Sequence, residues 1–162
     1  MSMPRLALII FVACTWAPGH ALAQSSTGDG AREAFDKFVS AFNALDWETF
    51  RRCFSDTASL FNPDIPDAVS LHRLDGRHDI ERNFRAVFDS ANAGGGSPHG
   101  PNIHPEHVRL QQFADTAVIT FEFKRSKHSV GRRTIVLNKQ KDSWLIVHIH
   151  ASNISLRHPD TD

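Results

Sequence analysis

The chain has 162 residues, 18 Lys and Arg against 18 Asp and Glu, 41% hydrophobic residues, 12 Phe, 3 Trp, 2 Cys and no Tyr. That length and apolar content suit one domain with a core of its own and exclude wholesale disorder, and the balanced charge leaves no electrostatic footprint for nucleic acid or an acidic membrane surface. Two cysteines exclude a disulfide scaffold and a Cys-rich zinc module, and the missing tyrosine removes every mechanism that needs a phenol as acid or oxyanion donor.

Arg5 is the only charge before Asp29. It precedes an apolar run from Leu6 to Ala17, a Pro18-Gly19 break and the small-x-small site Ala21-Leu22-Ala23. A basic start, a short apolar stretch and such a site predict a signal peptide over residues 1–23, and hence a secreted or periplasmic protein. The run is shorter than the roughly 20 apolar residues of a membrane span, so no membrane association is expected after cleavage. A lipid anchor on Cys14 fits worse, because Phe11-Val12-Ala13 is a poor match before that cysteine. Cleavage would leave 139 residues with a net charge of −1 and Cys53 as the one thiol, so no internal disulfide can form. Cys53 lies between Phe50 and Phe54 and is expected to be buried and inert.

Residues 24–30 read as a polar lead-in with Asp29 as a possible N-cap. Phe35, Phe38, Phe42 and Leu45 then trace one face of a helix. Asp46 can cap a second, shorter helix carrying Trp47, Phe50 and Phe54. Thr57 to Phe61 reads as a strand ended by Asn62-Pro63-Asp64, and Val69 to Leu74 as its neighbour, closed by Asp75-Gly76. Ile80, Phe84, Val87 and Phe88 mark a third helix, which ends at Ala93. The following Gly94-Gly95-Gly96 has no strand before it and no Lys-Ser/Thr after it, so it is a loop and not a phosphate cradle. Glu106–Phe113, Thr116–Arg125, Arg132–Lys139 and Ser143–Ser152 are four strand-like runs with turns at Ala114-Asp115, Ser129 to Gly131 and Lys141-Asp142. Such short connections force antiparallel neighbours.

The predicted order is α-α-β-β-α-β-β-β-β, an α+β domain in which a curved, mostly antiparallel sheet wraps the helices as a cone-shaped roll. Alternation assigns Ala117, Ile119, Phe121, Phe123, Ile135, Leu137, Leu145, Val147, Ile149 and Ala151 to the inner face. Trp144, Ile146, His148 and His150 fall on the other face, together with Val118 and Val136. A half-apolar outer face is what a homodimer needs, and Trp144, Ile146, His148 and His150 are its expected contacts.

Three segments carry a resemblance: Ala41-Phe42-Asn43-Ala44-Leu45-Asp46-Trp47-Glu48-Thr49-Phe50, Gly76-Arg77-His78-Asp79-Ile80, and Trp144-Leu145-Ile146-Val147-His148-Ile149-His150-Ala151-Ser152. In this order and spacing they resemble the nuclear transport factor 2-like (cystatin-like α+β roll) superfamily. The last is similar to the closing strand of SnoaL-like domains and of the calcium/calmodulin-dependent kinase association domain. The resemblance implies a SnoaL-like domain over residues 31–153 and a tail over 154–162. It also implies a pocket under the sheet, with Phe38, Phe42, Trp47, Phe54 and Phe121 among its lining. Phe123, Ile135, Val147, Ile149 and Ala151 complete the expected set.

The superfamily hosts isomerases, dehydratases, cyclases and members without a known reaction, so the fold does not settle function. Ketosteroid-isomerase relatives carry an Asp-Pro whose carboxylate is the general base, and the matching residue here is Asn62, before Pro63. An amide takes no proton at neutral pH, and the partner phenol is absent. Asp64 and His72 are the remaining catalytic candidates. The kinase association domain lines its cavity with arginines, and the positions matched to them are Phe123, Ile135 and Ala151, so no acidic ligand is expected. His148 and His150 could share a metal with His104 and His107, but they sit on the outer face, and no metal or cofactor is expected. Asn153-Ile154-Ser155 fits a glycosylation acceptor. The sequence therefore points to an exported protein that binds a small apolar ligand or acts as an accessory factor. The alternatives are an acid/base enzyme on a small hydrophobic substrate and a structural homo-oligomerisation module.

Overall fold

The computed structural model describes residues 29–62, 73–93 and 102–156. The expected signal segment, residues 69–72 of the strand expected over Val69 to Leu74, the expected glycine loop, and both Asp64 and His72 lie outside the described residues. The elements run α1 (Asp29–Asn43), α2 (Trp47–Arg51), β1 (Phe54–Phe61), β2 (Leu74–Asp75), α3 (Arg77–Asn92), β3 (Glu106–Phe113), β4 (Thr116–Ser126), β5 (Ser129–Gln140) and β6 (Ser143–Ser155). They form the expected α+β roll. The six strands make one open sheet in the order β2-β1-β6-β5-β4-β3, antiparallel throughout except where β1 lies parallel to β6.

The turn between α1 and α2 follows from its backbone bonds. Asp46 N–H donates to Ala41 O at 2.9 Å and Leu45 N–H to Phe42 O at 3.2 Å, with Leu45 at φ 54. This pair of bonds round a left-handed residue closes a helix C-terminus. It removes Leu45 from the helix, although its side chain still packs against the core. Asp46 then accepts from Thr49 N–H at 3.1 Å and starts α2, and those hydrogen bonds hold its carboxyl below the usual carboxylate range.

The three helices bring aromatic rings together on the inner face of the sheet. Phe50 is 1% exposed and has ring centroids of Phe38, Phe42, Trp47, Phe54, Phe84 and Phe88 within 6.2 Å. At the other end of α1, Phe35 meets Phe121 of β4 edge-on at 5.3 Å. Asn43 fixes the end of α1 to the chain entering β3: its amide accepts from Ile103 N–H at 2.7 Å and donates to Ile103 O at 2.8 Å.

Three strands differ from their expected form. β1 begins at Phe54, not Thr57, because the inner-face aromatics continue through the turn after α2. The turn before β5 lies at residues 127–128, so Ser129 to Gly131 belong to the strand. β6 runs on to Ser155, pairing Ile154 with Val130 and Ser155 with Ser129, so residues 154 and 155, expected in the tail, belong to the strand. β6 also contains a bulge. Val136 pairs with His148 but Leu137 pairs with Ile146, which leaves Val147 as the extra residue.

That bulge reverses the face of everything before it. Ile146, expected outside, is 0% exposed, and Trp144 packs against the core beside the start of α1. A Cβ on Gly30 would stand 2.9 Å from Trp144 Nε1, so glycine there lets the helix approach that ring. Leu145 and Val147, expected inside, are only partly buried. Beyond the bulge Ile149 and Ala151 are inside, and His148 and His150 outside, as alternation requires.

Candidate functional site

Where the sheet curls away from the helices, a cavity of about 790 Å³ remains open. α1 contributes Phe38 and Phe42, α3 contributes Asn83, Phe84 and Val87, and the sheet contributes Leu60, Phe121, Phe123, Ile135, Ile149 and Ala151. Of the expected lining, Trp47, Phe54 and Val147 are not among these residues. Trp47 and Phe54 are used up in the ring cluster about Phe50, and Val147 is the bulge residue.

The lining also carries cations that the sequence reading did not expect. Lys124, Arg125 and Arg133 all border the cavity, and among the described lining residues there is no carboxylate and no histidine. The expectation of a lining that is apolar throughout is therefore corrected. Phe123, Ile135 and Ala151 are apolar as read, but the positive charge comes from neighbouring positions. Arg133 has the same parity as Ile135 and Leu137, so strict alternation along β5 already places it inside. The strand-like run Arg132–Lys139 already contains that signal, although the expected inner face takes only Ile135 and Leu137 from it.

The guanidinium of Arg133 is held from several sides. Nη1 donates to Arg132 O at 2.8 Å and to Ser152 O at 2.9 Å, with Asn153 Oδ1 at 3.4 Å, and the group lies 4.9 Å from the centre of the Phe123 ring. A cation over an aromatic face is attracted by the ring quadrupole. The Phe123 ring can lie there only because residue 131 is glycine: a Cβ at Gly131 would come within 2.5 Å of Phe123 Cζ. Gly131, Phe123 and Arg133 thus form one device.

Across the cavity on α3, Asn83 Nδ2 is buried and makes no hydrogen bond. A buried donor without a partner costs about 1–3 kcal/mol, so such a group in a cavity wall asks for an acceptor. Asn62, which follows β1, also lines the cavity.

The outer sheet face holds the histidine pair. His148 Nδ1 is 2.8 Å from Ser59 Oγ, and the Phe61 ring is 5.9 Å from His148 and 5.7 Å from His150. Burial, then His150 and Arg73, push the His148 pKa down. His107 is on β3, 3.4 Å from Glu122 Oε2. Among the described residues no three His, Cys, Asp or Glu side chains converge to hold a metal. Cys53 is buried and donates to Thr49 O at 3.3 Å, and its burial pushes the thiol pKa up to about 11.

A curved open sheet wrapped round helices, with a cavity at its wide end, is the roll of nuclear transport factor 2-like proteins. Within that class, the sequence matches the SnoaL-like domain over residues 31–156, and the chain belongs to this family. Solved structures share the fold. A candidate dehydratase of the nuclear transport factor 2-like family from Streptomyces avermitilis is 17% identical with a TM-score of 0.62, over 78% of this chain and 94% of that one. A candidate ketosteroid isomerase from Shewanella frigidimarina is 18% identical with a TM-score of 0.60, over 76% and 94%. A candidate calcium/calmodulin-dependent protein kinase type II association domain from Thiobacillus denitrificans is 19% identical with a TM-score of 0.59, over 76% and 94%. No curated protein sequence matches the chain. Identities this low establish the fold and leave the chemistry to the site.

Proposed function

We propose that the protein is exported, is trimmed after Ala23, and binds a small, largely apolar molecule in the cavity as a carrier or accessory factor. The observation that carries this reading is the open space itself: about 790 Å³ bordered by Phe38, Phe42, Phe121 and Phe123. Cavities of roughly 300–1,000 Å³ with apolar and aromatic walls are the size that takes small ligands. A purely structural module would have no use for such a space. Acid/base catalysis needs a histidine or carboxylate within hydrogen-bond reach of the ligand, and the described lining offers neither. Isomerase or dehydratase chemistry would therefore have to draw on Asp64 and His72. We also propose a homodimer through the outer sheet face.

Native mass spectrometry of the protein purified from its own host tests the binding reading. The expected species begins at Gln24 and releases a small molecule when the fold is disrupted. Protein that carries no ligand, and takes up none of a panel of small apolar compounds, overturns it.

A further inference from the structure

The outer face of the sheet has a neutral centre and a charged border. Two register rows cross it from β4 to β1, one through Val136 and one through Thr134, and the only ionisable side chains in them are His148 and His150. Fixed charges begin one step outside: Arg109 on β3, Glu122 and Arg132 in the next row along the strands, and Asp75 with Arg73 beyond β1. We infer that the homodimer formed through this face is gated by pH: two copies meet across neutral His148 and His150, and protonation of the pair drives them apart. This rests on the homodimer reading and adds its regulation.

Three observations carry it. A two-fold interface sets one patch against its own copy, so a fixed charge at its centre would face its like, whereas a centre without one is self-complementary. The second is size. The five long strands have 8 to 13 residues. At about 4.8 Å per strand and about 3.3 Å per residue they cover roughly 800 Å², which is what a standard interface takes from each partner.

The third is the lack of a counter-charge for the imidazoles. Among the described residues neither histidine has a carboxylate within ion-pair distance, and the carboxylates around them are already taken. Asp75 is held by Arg73 at 2.7 Å, Glu122 by Arg132 at 3.0 Å with His107 at 3.4 Å, and Glu106 by Lys124 at 4.0 Å. His148 Nδ1 instead lies 2.8 Å from Ser59 Oγ, and the Phe61 ring packs against both imidazoles. Burial, then His150 and Arg73, already push the His148 pKa down in the single protomer. Covering the face with a second copy adds to the first of these causes. The dimer therefore holds fewer protons than two free protomers, and association weakens as the pH falls through the histidine range.

Sedimentation equilibrium at pH 7.5 and 5.5, with far-UV circular dichroism on the same samples, forms the test. The wild-type dimer Kd should rise about tenfold or more at pH 5.5 with the spectrum unchanged. The His148→Asn, His150→Asn double variant should show one Kd at both pH values, and His150→Asn alone should keep only part of the rise. Should the double variant not dimerise at all, the single variant decides by the same comparison. A wild-type Kd that ignores pH, a rise undiminished in the variants, or dissociation that comes with loss of the spectrum overturns the gate and leaves the dimer standing. Wild-type protein that is monomeric at tens of micromolar at pH 7.5 overturns both.

Discussion

Single residues decide the character of the cavity. Gly131 lets the Phe123 ring occupy space that any other residue would claim, and that ring supports Arg133. Gly131→Ala is expected to displace the ring, to destabilise the protein by about 1–3 kcal/mol in urea denaturation and to weaken ligand binding at the same time. Phe50 plays the corresponding part in the core, touching six rings while 1% exposed. Phe50→Ala should cost about 3–5 kcal/mol, near the whole stability of a small domain, so soluble yield and thermal melting are the measurements that check it. Cys53 is silent by the same physics. With its pKa pushed up to about 11 by burial, the thiol should resist iodoacetamide at pH 8 in the native protein and react once urea unfolds it. Labelling of the folded protein at the rate of a free thiol would contradict the burial.

At the scale of elements, β6 shows what a strand pattern can and cannot reveal. The burial of Ala117, Ile119, Phe121 and Phe123 on β4 was readable from alternation, because that strand has no bulge within those residues. On β6 every residue is individually strand-like, and nothing local marks Val147 as the extra one. The bulge is fixed by pairing with β5, a long-range fact that periodicity does not contain. The structure therefore reverses the expected sensitivities. Ile146→Ala should cost about 2–5 kcal/mol and Val147→Ala much less, whereas unbroken alternation demands the opposite. Denaturation of the two variants side by side checks this.

Beyond the bulge, His148 shares the outer face with His150, opposite Ser59 and near the Arg73–Asp75 ion pair. A histidine whose folded pKa lies below its unfolded value near 6.5 is protonated first in the unfolded chain. Its contribution to stability is thus present above pH 6.5 and is lost as the pH falls through 6.5 towards the folded pKa. Melting temperature should drop on going from pH 7.5 to 5.5, and His148→Asn should flatten part of that slope. An unchanged slope in the variant would assign the pH dependence to other groups.

For the molecule as a whole, the layered α+β roll was legible because it needs only the order of amphipathic elements and the short turns after Phe113 and Gln140. The cavity was less legible. Seven of its walls follow from inward parity on α1 and the sheet, but its emptiness and its positive border depend on how far the sheet curls, which no local pattern records. The outer face is where the proposed homodimer would form. Val118 and Val136 pair across β4 and β5, and Val136 continues to His148 and Ser59, giving a half-buried row across the middle of the sheet. With Trp144 and Ile146 turned inward by the bulge, a homodimer must rest on that row and on Phe61, which is 37% exposed. A stable interface needs about 800 Å² from each partner, a large fraction of one sheet face. A charge in the centre of such a surface leaves the isolated fold intact but is buried unpaired on association, which is strongly unfavourable. Val136→Glu should therefore convert the protein to a monomer in light scattering while its melting, followed at matched low concentration, moves little. Wild-type protein that is already monomeric at tens of micromolar would remove the dimer, and a Val136→Glu variant that stays dimeric would move the interface to another surface.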